Sequence, residues 1–176
     1  MRDKKDIRLF FALWPDEALR ERLHAAAKEV PIEGAARRVP RNNLHLTLHF
    51  IGNVYFEEMI CLQRQAHRVG AENFQFDIDC QGAFSKPRVA WLGCRKAPAA
   101  LGELQAQLGR QLRLCGYRSE SRRYHPHVTV ARKIEPVSDS VPFEPISWAV
   151  TEFALVEVQQ LENGVQYRVV ETYPLE

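Results

Sequence analysis

Threonine is scarce in this chain, and a large net charge, a long apolar run and a paired-cysteine motif are all missing. Lys plus Arg number 24 against 22 Asp plus Glu, a formal net charge of +2. The chain is therefore no polyanion-binding tail, and any contact with nucleic acid must come from local patches. No stretch approaches the roughly 20 apolar residues of a membrane span. The opening run Leu9-Phe10-Phe11-Ala12-Leu13-Trp14 is too short for a signal peptide and is stopped by Pro15-Asp16-Glu17. Cys61, Cys80, Cys94 and Cys115 are scattered without a Cys-x-x-Cys pair. They read as structural thiols in a reducing compartment and argue against a zinc site. No Gly-Lys-Ser/Thr phosphate loop, Gly-x-Ser-x-Gly elbow or His-Glu-x-x-His motif is present. A soluble, cytoplasmic protein is expected, with no membrane and no obligate protein partner.

What remains is ordinary globular composition, 45% hydrophobic and 26% charged in 176 residues. That length fits one domain, residues 1–176, or two small lobes sharing a core. Residues 7–14 read as a buried strand. Pro15 opens a helix with Leu19, Leu23, Ala26, Ala27 and Val30 on one face, ended by Pro31 and Gly34. Arg37, Arg38 and Arg41 form a basic cluster, read equally as a solvated loop or as a phosphate-facing one. A second helix spans 55–69. Phe74, Phe76, Ile78 and Cys80 alternate as one strand that Gly82 breaks, and residues 85–88 turn into a strand from Val89 to Cys94. Pro98 opens a third helix, with Leu101, Leu104, Leu108, Leu112 and Cys115 at helical spacing and Gly116 as its cap. A loop carrying Arg118, Arg122 and Arg123 follows. Residues 135–145 read as a loop, 148–159 as a long strand, and Asn163-Gly164 as a tight hairpin returning through 165–172.

Two short stretches organise this chain. His45-Leu46-Thr47-Leu48 and His127-Val128-Thr129-Val130 both read His, apolar, Thr, apolar. With six histidines and four threonines in the chain, random placement would give roughly 0.14 His-x-Thr triplets. On a strand, side chains alternate between faces, so each copy offers an imidazole and a hydroxyl on one side and an apolar pair on the other. His49 shares the parity of His45 and is expected either to line the site or to fill the strand end. His125 reads as a structural or rim residue beside Pro126. Each half of the chain runs helix, basic loop, His-x-Thr strand, which points to two lobes facing each other across a cleft.

Two histidines on opposite walls suit in-line attack at phosphorus. One imidazole takes the proton of the attacking oxygen while the other gives a proton to the leaving oxygen. Threonine hydroxyls can donate to the non-bridging oxygens, and a nearby arginine adds charge-assisted contacts. The scheme needs neither metal nor cofactor. His125-Pro126-His127 alone looks like a metal pair, and a metallohydrolase reading would need carboxylates from elsewhere in the chain.

The two motifs, half a chain apart, resemble the signature of the 2H phosphoesterases. The local text Asn43 to Gly52 and His125 to Arg132 is similar to the bacterial RNA 2′,3′-cyclic phosphodiesterase (2′-5′ RNA ligase) family, as are Leu9 to Ala12, Arg88 to Gly93, and Trp148 to Phe153. The resemblance implies an α+β fold of two pseudo-symmetric lobes, each an antiparallel sheet with outer helices around a central cleft. It implies RNA bearing a 2′,3′-cyclic phosphate end as substrate, transfer-RNA fragments and small cyclic nucleotides among the partners, and a 2′-phosphate product. It makes His45 the proton donor to the 3′ oxygen, His127 the acceptor that activates water, and Thr47 and Thr129 the phosphate holders. Arg132 matches a family arginine but has the opposite strand parity to His127, so it reaches the phosphate only if the strand has bent or ended. ATP-independent 2′-5′ joining is implied as the reverse reaction. Leu155 to Gln159 departs from the serines of relatives. Phe11 offers a ring for base stacking, although its apolar strand fits a core position better. The competing function is an RNA-end or nucleotide-binding module on the same fold without turnover.

Overall fold

The computed structural model describes residues 7–135 and 140–176. The sequence-predicted elements 136–139, within the expected loop, lie outside the described residues. The element order is β1 (Ile7–Leu13), α1 (Glu17–Glu29), β2 (Arg37–Arg38), a 3-10 turn (Arg41–Asn43), β3 (Leu46–Val54), α2 (Phe56–Ala66), β4 (Phe74–Ile78), β5 (Cys80–Phe84), β6 (Val89–Gly93), α3 (Ala99–Arg113), β7 (His127–Arg132), β8 (Ile146–Val150), β9 (Glu152–Leu161) and β10 (Gly164–Pro174). The fold is mixed α and β. An antiparallel sheet runs β10-β9-β1-β3-β7-β6-β5, with β2 paired to β7, and β4 and β8 form a separate two-stranded sheet.

The middle of the large sheet is thin. β1 and β9 pair over Leu9–Ala12, and β6 and β7 pair over five residues, but β3 and β7 share the single pair Leu46↔Val128. That pair joins the block β10-β9-β1-β3 to the block β7-β6-β5. Beyond it β3 diverges, and β2 takes over the free edge of β7 through Arg37↔Arg132 and Arg38↔Ala131. The backbone groups of β7 thus stay paired where its neighbour leaves.

Alternation along β1 sorts two cores. Leu9, Phe11 and Leu13 join Leu46, Leu48, Val128 and Val130 on the helix side. There α3 inserts Leu101, Leu104, Leu108 and Leu112, all fully buried, at the spacing read from the sequence. Phe10 and Ala12 face the other way and pack with Ala154 and Val156. Phe11 belongs wholly to the helix-side core, its ring 6.2 Å from Phe153 and 6.1 Å from Tyr173, so it offers no face to a base.

Several expectations need correction. The strands expected over Phe74–Cys80 and 148–159 are each two strands. One residue, Asp79 or Thr151, separates β4 from β5 and β8 from β9, and each half joins a different sheet. Apolar alternation continues across Asp79, so periodicity could not show that break; at Thr151 it lapses, Thr151-Glu152 separating Val150 from the apolar run Phe153 to Val156. Gly82 does not end a strand but sits inside β5. A Cβ there would lie 2.3 Å from Trp91 Cζ2, so the glycine makes room for the indole. Arg38 and Arg41 are held by α1 rather than offered to a phosphate. Arg38 donates to the carbonyls of Ala27 at 2.6 Å and Val30 at 3.0 Å, satisfying the helix C-terminus. Arg41 pairs with Glu17 and, at 2.7 Å, with Glu21. Finally, Cys61 and Cys115 are not free thiols. They form a disulfide between α2 and the end of α3, their Cα atoms 5.8 Å apart. Only the packing of α2 beside α3 brings these residues, 54 apart in sequence, within bridging distance. Gly116, at φ 84, caps α3 as read.

Two glycine substitutions should act in opposite directions. Gly82→Ala forces the Trp91 indole to move and should cost about 1–3 kcal/mol. Gly102→Ala lies in α3 with nothing near its Cβ position and should stabilise by about 0.5–1 kcal/mol through helix propensity. Thermal or denaturant unfolding of both variants checks the pair.

Candidate active site

The Leu46↔Val128 pair sets the site. In an antiparallel ladder, directly opposed residues point to the same face, and their neighbours point to the other. Leu46 and Val128 are both fully buried on the helix side. Their neighbours His45, Thr47, His127 and Thr129 therefore all project from the opposite face. The two motifs cross at their own second residues.

Each motif then slips by one residue at its fourth position. On β3, Phe11 pairs with His49 and Ala12 with Thr47, leaving Leu48 extra. On β7, Ala90 pairs with Ala131 and Trp91 with Thr129, leaving Val130 extra. These are β-bulges, which place two residues against one and reset the facing of everything beyond. Leu48 and His49 both turn into the core, as do Val130 and Ala131. The next residue in each copy, Phe50 or Arg132, returns to the site face. The strand bend that Arg132 required is this bulge. Arg132 lines one cleft with His45, Thr47, Phe50, Arg8 and Phe10, a cavity of about 320 Å³. His127 and Thr129 lie on β7 beside it. The positive charge of Arg132 acts on both imidazoles.

The same bulge removes His49 from the site. It is buried beneath α3, where its Nε2–H donates to the Gln105 carbonyl at 2.7 Å and the Tyr117 hydroxyl donates to Nδ1 at 3.3 Å. Gly109 makes the space, since a Cβ there would lie 2.9 Å from His49 Cε1.

Both site histidines are oriented alike. The carbonyl two residues upstream accepts from Nδ1, Asn43 for His45 and His125 for His127, each at 2.7 Å. A carbonyl can only accept, so Nδ1 carries the proton and Nε2 is the lone-pair nitrogen of the neutral ring. His45 Nε2 lies 3.0 Å from Thr47 Oγ1, whose hydroxyl can donate to it. Asn43 is buried and donates from Nδ2 to the Val165 carbonyl at 3.0 Å, pinning the segment that carries His45 to β10. Tyr124, just before the second motif, donates to the Thr47 carbonyl at 3.0 Å and so ties one motif to the other.

Aromatic walls enclose both rings. His45 stacks on Phe10 at 4.6 Å and Trp14 at 5.7 Å, with Tyr167 edge-on at 5.3 Å. His127 has Phe84 at 5.1 Å and Trp91 at 6.4 Å. His125 is exposed at the rim, 4.9 Å from Trp91 and 6.0 Å from His127. Burial pushes His45 down to about 4, with Arg132 and His127 adding to the shift and the Asn43 carbonyl opposing it. Burial is also the largest cause lowering His127, followed by the opposing His125 carbonyl and then the charges of His125 and Arg132. Among the described residues, no three His, Cys, Asp or Glu side chains come together as a metal site. No helix among the described residues is long and apolar enough to cross a membrane.

Sequence reading gave no site role to Asn43, Tyr124, Phe50 or the walls of Phe10, Trp14, Tyr167, Phe84 and Trp91. Asn43, Phe50, Phe10 and Trp91 lie in stretches that carried the resemblance, and for the rest the signal was aromatic residues near both motifs. Phe50 lines the cleft beside Phe10 and Tyr167, its ring half exposed and Arg8 lying over it at 5.3 Å.

A family model described as the 2′-5′ RNA ligase superfamily matches residues 14–161. The chain is 35% identical over 170 residues to the RNA 2′,3′-cyclic phosphodiesterase of Escherichia coli K12, covering 96% of each. It is 30% identical over 129 residues to the protein of the same name from Archaeoglobus fulgidus, covering 72% of each. The fold is similar to E. coli LigT crystallised with 3′-AMP, with a TM-score of 0.87 at 35% identity over 96% of this chain and 98% of that one. A crystal structure of a phosphoesterase gives a TM-score of 0.89 at 33% identity, over 96% and 98%.

The depressed histidines make stability depend on pH. His45, His49 and His127 all titrate below their ordinary 6.5 in the folded protein, each chiefly through burial. Below that value the unfolded chain binds more protons than the folded one. Stability is therefore full above about pH 6.5 and declines as the pH falls towards about 4. Thermal unfolding followed between about pH 7.5 and about pH 4.5 should show this decline. His49→Gln, which cannot gain a proton, should decline less steeply from a lower starting point.

Proposed function

This chain belongs to the 2′-5′ RNA ligase superfamily, and we propose on that footing that it opens RNA 2′,3′-cyclic phosphate ends to 2′-phosphates with His45 and His127 as its acid–base pair. It is a cyclic phosphodiesterase, as the shared name of relatives spanning nearly its whole length indicates. The observation that carries the mechanism is the crossing of the two motifs at Leu46↔Val128, which sets both imidazoles and both hydroxyls on one face beside Arg132.

Water attacks phosphorus and gives a proton to His127 Nε2. The P–O3′ bond breaks, and His45 Nε2–H protonates the departing O3′. The 2′-phosphomonoester remains, and the two histidines end with their protonation states exchanged. Thr47 and Thr129 donate to the non-bridging oxygens as negative charge gathers there, and Arg132 supplies the fixed positive charge. Thr47 must release its contact with His45 Nε2 to do so. With a 5′ hydroxyl in the place of water, the same geometry makes a 2′-5′ linkage without ATP. The exposed face of Phe50 suits the base of the terminal nucleotide. The two strand blocks are taken as the lobes of one domain over residues 1–176. Cytoplasmic residence is the reading that suits an RNA substrate.

His127 is ready for its role, since a lowered imidazole is neutral at pH 7. His45 must be protonated to donate, and in the free protein burial opposes this. An arriving phosphate supplies the opposing charge that raises it.

Hydrolysis of a short RNA ending in a 2′,3′-cyclic phosphate, in EDTA, tests the reading. A 2′-phosphate should form, and His45→Ala or His127→Ala should each lower kcat by about 10²–10⁴. A 3′-phosphate product would reverse the donor and acceptor. Binding without turnover in the wild type would favour the binding module, and activity restored by added metal would favour a metallohydrolase. The basic limb of kcat should lie at higher pH than that of kcat/KM, because the first reports the phosphate-bound His45 and the second the free one. Coincident limbs would mean that the phosphate does not charge His45.

A further inference from the structure

Tyr167 stands between two cavities. On one side is the cleft of His45, Thr47 and Arg132. On the other a cavity of about 420 Å³ opens, lined in part by Trp14, Arg20, Asn42, Gln166 and Tyr167. The two share Val165 and Tyr167, so they are neighbours along β10. The second cavity borders the site through Trp14, Asn43 and Tyr167, but the acid–base scheme uses none of Arg20, Asn42 and Gln166. Its cation is Arg20, whose guanidinium lies 5.6 Å over the Trp14 ring and donates to the Pro15 carbonyl at 2.9 Å. Glu17 is only a long partner at 3.4 Å, and the buried Nε has no partner among the described residues. Asn42 and Gln166 add amide groups.

The polarity of the reaction decides what this cavity can hold. His45 gives its proton to O3′, so the ribose of the terminal nucleotide lies on the His45 side of the phosphorus. From that ribose two groups depart in different directions, the base from C1′ and the rest of the chain from C5′. Phe50, Arg8, His45 and Tyr167 line the cleft, and Trp14, stacked on His45, lines the neighbouring cavity with Arg20 and the shared Tyr167. With the base on Phe50, the 5′ phosphodiester leaves past Tyr167 towards Arg20.

We propose that the cavity beyond Tyr167 is the subsite for the nucleotide preceding the cyclic end. Arg20 faces the connecting phosphodiester, while Asn42 and Gln166 face the second base. This inference rests on the cyclic phosphodiesterase reading and extends it: the preferred substrate is a chain of two or more nucleotides. A charge-assisted contact of this kind strengthens binding by about tenfold or more.

The test compares a mononucleoside 2′,3′-cyclic phosphate with a dinucleotide bearing the same cyclic end. In the wild type the dinucleotide should have a kcat/KM at least about tenfold higher. Arg20→Gln and Gln166→Ala should bring that ratio close to one, and the ratio cancels losses of folding common to both substrates. The wild-type preference should also shrink with salt, as a phosphodiester contact requires. Equal hydrolysis of the two substrates by the wild type would overturn the subsite and leave the enzyme reading standing. A preference that survives both substitutions but is lost in Arg8→Ala would overturn it too, by sending the chain out at the Phe50 end. Hydrolysis of neither substrate would overturn the enzyme reading and this inference with it.

Discussion

One backbone pairing, Leu46 with Val128, holds the site together. It is the single register pair between β3 and β7, and it joins the two blocks of the large sheet. Both residues are apolar and fully buried, so the core under α3 fixes which face the flanking residues take. A slip of one residue on either strand would send that strand's imidazole and hydroxyl into the core. The motif's apolar second position therefore matters as much as its histidine. The Tyr124 hydroxyl on the Thr47 carbonyl reinforces the junction where the ladder is thinnest.

The bulges after each motif show how far sequence parity can be trusted. The histidines and threonines were legible because they precede the slip. His49 and Arg132 follow it, and both land on the face opposite to the one that alternation assigns. The burial sequence of β7, with Val130 and Ala131 buried in succession before an exposed Arg132, records the slip. In the sequence, Thr-Val-Ala-Arg looks like any apolar strand. The same limit applies at Asp79, where the strand changes sheets without interrupting its alternation; at Thr151 the polar pair Thr151-Glu152 was a lapse in the pattern that could have been read. Helices were easier to read, since Leu101, Leu104, Leu108 and Leu112 repeat one spacing over three turns. The Cys61–Cys115 bridge and the aromatic walls were not legible, because they depend on which elements become neighbours in space.

The repeat between the halves is stronger in structure than in sequence. Each copy has a carbonyl two residues before the histidine, a bulge at the fourth motif position and a cleft-facing side chain at the sixth. Only the last differs, Phe50 in one half and Arg132 in the other. A symmetric frame thus presents an aromatic face on one side and a cation on the other, as a ligand with a base at one end and a phosphate at the other requires.

The two walls are also unequal, and the inequality bears on the direction of the chemistry. Phe10, Trp14 and Tyr167 shut His45 in, and burial drives it down to about 4. His127 stands beside an exposed His125 and a half-buried Phe84 at a more open rim. An attacking water needs access, and an activating base needs to be neutral; the His127 wall suits the base proposed for it on both counts. In the proposed scheme the acid opposite it should hold its proton only while phosphate charge is beside it. In the enclosed His45, protonation is costly until an anion arrives, so in the proposed scheme the donor would be charged by the substrate it serves. The desolvation that weakens His45 as a free acid is thereby what couples its protonation to occupancy of the cleft.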